Sequence, residues 1–239
     1  MSFTAEDFAA LETRLRALGD EKYRQFNEAL IPGKENLSYG VRIPQLRAVG
    51  RELCRGDWRA FLDSDAVRHS RSHEIVTLAG LVTAGAKCEL EERLRRTAAF
   101  IPRVDNWATN DIVCATYRIR PAERAAWLSF LQPYLVCGEE FGERFAVILL
   151  MDQFLTDETY PAVLDACAAA RCPGYYTKMA VAWALCTAFC KYRDAAWDFL
   201  SGTRGASLDD WTFNKAIQKC RESYRVSEAD KALLQSRKR

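Results

Sequence analysis

KMAVAWALCTAF, at residues 178–189, is apolar along most of its length, yet it opens on Lys178 and is interrupted by Trp183. Its apolar residues recur at helical spacing and no Gly or Pro breaks it, so it reads as a helix. Related segments lie on either side: HEIVTLAGLV (73–82), WATNDIVCATY (107–117), RFAVILLMDQF (144–154) and FNKAIQKCRESY (213–224). Each carries an apolar stripe interrupted by a charged or aromatic position. Counted from Trp107, Arg144, Lys178 and Lys215, successive segments are 37, 34 and 37 residues apart, inside the range of two-helix repeats. One such pair cannot bury its apolar face alone. Stacked neighbours share a continuous core and leave one helix of each pair on a concave surface. The expected fold is all-α, a right-handed superhelical solenoid of antiparallel helix pairs.

The rest of the chain agrees with that reading. Alternating runs of β-branched residues are missing, and helical stretches are punctuated by Gly19-Asp20, Ile31-Pro32-Gly33, Ile43-Pro44, Gly56-Asp57, Ile101-Pro102, Arg120-Pro121, Tyr160-Pro161, Cys172-Pro173-Gly174 and Gly202. Several of these prolines suit the first turn of a helix, where no backbone hydrogen bond is lost. With no Gly/Ser-rich linker, residues 1–239 are expected to form a single solenoid domain of about six helix pairs, the N-terminal helices serving as a cap.

Composition narrows the class. Basic side chains number 34 and acidic ones 32, a formal net charge of +2, so a nucleic-acid surface requires segregation of charge instead of an excess. No apolar run is long enough for a bilayer and the N-terminal segment is acidic and polar, which predicts a cytoplasmic protein without a membrane partner. Nine cysteines, odd in number and with no C-x-x-C pair, read as reduced core thiols.

No phosphate-binding glycine loop, nucleophile elbow or zincin motif is present. His69 and His73 stand four apart with Glu74 adjacent, the minimum for a metal site. No third ligand follows at a defined spacing, so they are read as ordinary surface or groove residues, and neither metal nor other cofactor is expected. Trp107 and Asp111 are one helical turn apart and share a face. Two readings stand. An indole beside a carboxylate receives a cation; alternatively Trp107 anchors the core while Asp111 or Asp105 serves as a cap or surface charge. Arg144 and Trp183 interrupt other apolar stripes about one repeat away. In a solenoid Trp107, Asp111, Arg144 and Trp183 converge in one cleft, Arg144 being free to grip a phosphate. Lys178, Lys215 and Lys219, with Arg42 and Arg47 toward the other end, extend a basic track for backbone phosphates. Singly, each basic residue is also explained as a solvated helix face.

These residues carry a resemblance. Tyr39-Gly-Val-Arg-Ile-Pro-Gln-Leu-Arg47, the Trp107/Asp111 pair, Arg144 in Glu-Arg-Phe-Ala-Val and Trp183 in Lys178-Met-Ala-Val-Ala-Trp183 lie in order at repeat spacing. The chain resembles, over roughly residues 15–225, the HEAT-like-repeat DNA alkylation repair enzymes, the AlkD-type alkylpurine DNA glycosylases. The resemblance implies hydrolysis of the N-glycosidic bond of positively charged N3- or N7-alkylated purines in duplex DNA, without cofactor and without a flipped-out base in a pocket; a solenoid with a single binding face needs no partner, so a monomer is expected. It further implies that Trp107 and Trp183 flank the damaged nucleotide, Asp111 stands at the sugar and Arg144 holds the backbone.

The chemistry is consistent with that implication. An alkylated purine cation leaves as a neutral base, and the transition state moves positive charge onto the deoxyribose, where a carboxylate and indole faces stabilise it. The alternative from another class is a non-catalytic HEAT-repeat scaffold that binds a DNA structure or a protein partner, and a third is an RNA-binding groove.

Overall fold

The computed structural model describes residues 3–31 and 37–239, so the Pro32-Gly33 break lies outside the described residues. The described residues form sixteen α-helices and no β-strand; an isolated bridge joins Gly19 and Val41. The chain divides into two compact units, Met1–Arg118 and Ile119–Arg239. No helix among the described residues is long and apolar enough to cross a membrane.

The first unit holds α1 (Ala5–Leu18), α2 (Glu21–Leu30), α3 (Ile43–Arg55), α4 (Trp58–Asp63), α5 (Asp65–His69), α6 (His73–Gly85), α7 (Leu90–Phe100) and α8 (Trp107–Cys114). Side chains cap their starts: Thr4 and Asp7 form a capping box on α1, and Asp20, Asp57 and Asn106 cap α2, α4 and α8. Pro44 sits in the first turn of α3, as expected. The centre is α6, buried from His73 to Ala84 because α3, α4, α7 and α8 all pack on it. Leu11 and Leu15 of α1 join its core cluster, whereas α2 buries no residue.

Gly80 sets how closely these helices approach. A Cβ there would lie 2.4 Å from Val113 Cγ2 and 2.5 Å from Phe100 Cζ, both side chains being buried. Gly80→Ala therefore gains about 1 kcal/mol of helix propensity but incurs about 1–3 kcal/mol of overpacking. Its melting midpoint is expected to fall; a midpoint at or above wild type would show a loosely packed α6.

The second unit holds α9 (Arg124–Leu131), α10 (Glu140–Phe154), α11 (Tyr160–Ala169), α12 (Tyr175–Lys191), α13 (Arg193–Ser201), α14 (Thr203–Ala206), α15 (Asp210–Glu222) and α16 (Glu228–Gln235). Helix α12 packs between α10 and α15, and α11, α13 and α16 follow as their outer partners. All five apolar segments read from the sequence begin in helices, those at 107–117 and 213–224 running past the helix ends at Cys114 and Glu222. Their helices start at His73, Trp107, Glu140, Tyr175 and Asp210, intervals of 34, 33, 35 and 35 residues. This spacing is more even than that of the marker residues, because Arg144, Lys178 and Lys215 lie inside their helices instead of at the first position.

Two expectations need correction. His69 and His73 do not share a helix: the chain breaks after His69, which is exposed at the end of α5, while His73 opens α6 and is 3% exposed. His73 is also no surface residue, since its N–H donates to the Leu37 carbonyl at 2.7 Å and its Nδ1 lies 3.4 Å from the buried Thr109 hydroxyl. The nine cysteines are all free thiols, five of them buried, but Cys137 is exposed.

Candidate active site and nucleic-acid interface

In the first unit the candidate residues gather on α8. Asn106 caps it, accepting from the Thr109 N–H at 2.8 Å, so the helix begins at Trp107. The Trp107 indole is half-buried and donates from Nε1 to the Leu30 carbonyl at 2.9 Å, which fixes the ring plane. One turn later the partly exposed Asp111 accepts from Nδ2 of the buried Asn110 at 3.0 Å. Neither Trp107 nor Asp111 lies in the core. Arg47 reaches the far end of the same helix, donating to the Ile112 carbonyl at 3.2 Å and to the Thr116 hydroxyl at 2.8 Å. It thereby satisfies a carbonyl that the helix end leaves without an intrahelical partner. Burial, then the neighbouring Arg118 and Arg51, lower its pKa from the usual guanidinium range. Arg42 points elsewhere, with Nη2 2.7 Å from Asp20 Oδ2 and its guanidinium 5.1 Å from the Tyr23 ring centre.

The same unit holds a carboxylate that the sequence reading noted only as the neighbour of His73. Glu74 is 1% exposed, and its carboxylate accepts from the Ser38 hydroxyl at 2.8 Å and from the N–H groups of Tyr39, Gly40 and Val41 at 3.0, 2.9 and 3.2 Å. Those N–H groups converge because Gly40 adopts φ +76°, where a Cβ would meet the Asp20 carbonyl at 2.6 Å. The Tyr39-Gly-Val-Arg-Ile-Pro stretch is thus an anion-binding turn whose anion is an internal carboxylate. The device recurs in the second unit: Glu143, also 1% exposed, accepts from the N–H groups of Gly138, Arg171 and Cys172 at 3.1, 2.9 and 2.8 Å, and Gly138 likewise has φ +76°. A carboxylate at the start of an otherwise apolar helix was the available signal.

In the second unit Arg144 is not the free side chain expected. It is 4% exposed and donates to the Tyr176 carbonyl at 2.7 Å, with its guanidinium 6.0 Å from the Tyr176 ring centre. It therefore ties α10 to the first turn of α12. Lys178 Nζ lies 3.2 Å from Asp209, the residue that caps α15. Lys215 donates to Gln218 at 2.8 Å and lies 5.6 Å from the Trp211 ring centre, and Lys219 is partly exposed one turn further on. Trp183 is 39% exposed near the middle of α12.

A row of aromatic rings joins the starts of the three packed helices. Phe141 stacks on Tyr176 with centres 5.3 Å apart, Tyr176 meets Tyr175 at 5.2 Å, and Tyr175 meets Trp211 at 5.6 Å. Tyr175 is 56% and Trp211 39% exposed, so the row ends at solvent. Its signal was in the sequence: aromatics at 107, 141, 175 and 211 recur at intervals of 34, 34 and 36 residues, each at the first or second position of its helix.

The described residues are thus all-α, with an aromatic side chain at the first or second position of α8, α10, α12 and α15. The chain belongs to the DNA alkylation repair enzyme family, whose sequence profile matches residues 11–220. This match bears out the resemblance and includes every candidate residue. It places the chain among the enzymes of DNA repair, with DNA as what it binds. Neither a curated protein nor a solved structure matches the chain.

Proposed function

We propose that the protein is a monofunctional DNA glycosylase that excises positively charged N3- or N7-alkylated purines from duplex DNA. The observation that carries this reading is Asp111, a carboxylate outside the core, held by the buried Asn110 one turn from an oriented indole. In the reaction a water oxygen bonds to C1′ as the bond from C1′ to the purine nitrogen breaks. The alkylated base leaves neutral with the bond's electron pair, and the water releases one proton. Asp111 orients that water and stabilises the positive charge growing on the sugar, while Trp107 offers its face to the cationic base. Because the leaving group is already charged, no general acid is required.

The second unit supplies contacts to DNA in this reading. Lys178, Lys215 and Lys219 neutralise phosphates, Trp183 meets the lesion, and the row from Phe141 to Trp211 lies against the strand. Arg144 takes a positioning role, since its guanidinium fixes Tyr176 within the row. The regular helix interval and the alternation of packed and outer helices within each unit support HEAT-like repeats.

The decisive assay is release of free 7-methylguanine from methylated duplex DNA by the purified chain. Tight duplex binding with no free base would favour the non-catalytic scaffold instead. Lys178→Ala and Lys215→Ala are expected to weaken binding equally for damaged and undamaged duplex, each reducing the slope of log affinity against log salt by about 1. The Lys178 effect is the smaller, because that ammonium must first exchange Asp209 for phosphate. An unchanged slope in both variants would remove the lysines from the interface.

A further inference from the structure

The first unit contains a second polar concavity that shares no residue with the candidate site. It is a cavity of about 90 Å³ between α4, α5, α6, α7 and the turn after α7, lined by Asp63, Arg68, Arg95, Arg96 and Arg103 over an apolar floor that includes Leu62 and Phe100. Four arginines and one carboxylate thus line it, with Glu92 beside the rim. Asp63 is shared: it accepts two bonds from Arg96, at 3.1 and 3.2 Å, and one from Arg68 at 3.0 Å. Arg96 is further held by Glu92 at 3.0 Å and lies 5.0 Å from the Trp58 ring centre, so its plane is set before any ligand arrives.

Arg95 and Arg103 supply charge that Asp63 does not balance. Arg95 projects to solvent, with Glu92 no closer than 3.9 Å. Arg103 donates to the Val67 carbonyl at 2.8 Å, no carboxylate pairs with it among the described residues, and burial lowers its pKa from the usual guanidinium range. A desolvated cation without a counter-charge, beside three others in a cavity, is complementary to a small anion.

We infer that this cavity binds a phosphate dianion, either free phosphate or a terminal phosphate monoester. Charge favours the dianion over a backbone phosphodiester, which carries a single negative charge, because two of the four lining guanidiniums remain in excess once Asp63 and Glu92 are both counted. Volume points the same way. About 90 Å³ is smaller than the roughly 150 Å³ cavity that admits benzene, so the pocket itself takes a phosphate and leaves whatever the phosphate is attached to outside. The inference is independent of the glycosylase reading.

Calorimetric titration of the full chain with inorganic phosphate at neutral pH, against sodium chloride at matched ionic strength, tests it. Saturable binding with a submillimolar Kd is expected, weakened about tenfold in Arg103→Gln and in Arg95→Gln. The second variant alters a solvent-facing side chain and keeps the test decisive if the first fails to fold. No saturation below about 10 mM phosphate, or wild-type affinity in the folded variants, would overturn the site. Short oligonucleotides with a 5′-phosphate or a 5′-hydroxyl identify the source. Competition by the phosphorylated one alone assigns a terminal monoester, competition by neither assigns free phosphate, and equal competition by both would refute the preference for a dianion.

Discussion

Asp111→Asn is expected to slow release of 7-methylguanine from methylated duplex DNA by about a thousandfold, with duplex affinity nearly unchanged. The substitution keeps the size and planarity of the side chain and an oxygen able to accept the Asn110 N–H, so α8 retains its local bonding. It removes a full negative charge opposite the growing charge on the sugar. Electrostatic groups of this kind contribute about 3–4 kcal/mol in the transition state, and each 1.4 kcal/mol is about tenfold in rate. The ground-state duplex is itself negative, so losing the carboxylate does not weaken binding. Single-turnover release and duplex affinity should be measured on the same preparation, with the melting midpoint as a fold control. Release within about threefold of wild type would show that Asp111 does not act on the sugar and return it to the surface-charge reading.

Glu74→Ala is expected to be the most damaging single change to stability. The wild-type carboxylate accepts four hydrogen bonds in a buried setting, three of them from backbone N–H groups, of which, among the described residues, only that of Gly40 has a further acceptor, the Ser38 hydroxyl at 3.0 Å. Each buried donor left unsatisfied costs about 1–3 kcal/mol, partly offset where water enters, so a net loss of about 4 kcal/mol is expected. For a chain of this size that lowers the melting midpoint by roughly 10 °C. Circular dichroism gives the midpoint, and amide exchange should show α3 and the 37–41 segment opening before α7. A fall of less than about 2 °C would mean that the turn holds its shape without the carboxylate.

The two predictions differ in how far the sequence led to them. Trp107 and Asp111 stood out because a helical turn puts them on one face whatever surrounds the helix, and the structure keeps both outside the core. Glu74 was read only as the neighbour of His73 in a weak metal constellation, because burial of a carboxylate is a property of its surroundings: the N–H groups that satisfy it come from residues 33 to 35 positions earlier in the chain. Arg47 and Arg144 illustrate the same divide. Both read as phosphate contacts, since a guanidinium on an apolar helix suggests an external anion. Instead, one secures the end of α8 and the other the start of α12, through backbone carbonyls supplied by neighbouring helices. The arginine cavity escaped notice for a related reason: its residues come from five separate elements and form no spaced motif.

Local periodicity alone determined that this chain is helical and where its five apolar helices lie, because apolar spacing and punctuation act over one or two turns and survive any tertiary arrangement. Tertiary structure alone decided which charged side chains are available to a ligand. A guanidinium or carboxylate is drawn equally to a phosphate, a carbonyl or a backbone N–H, and only the packing of distant segments determines which of these it meets.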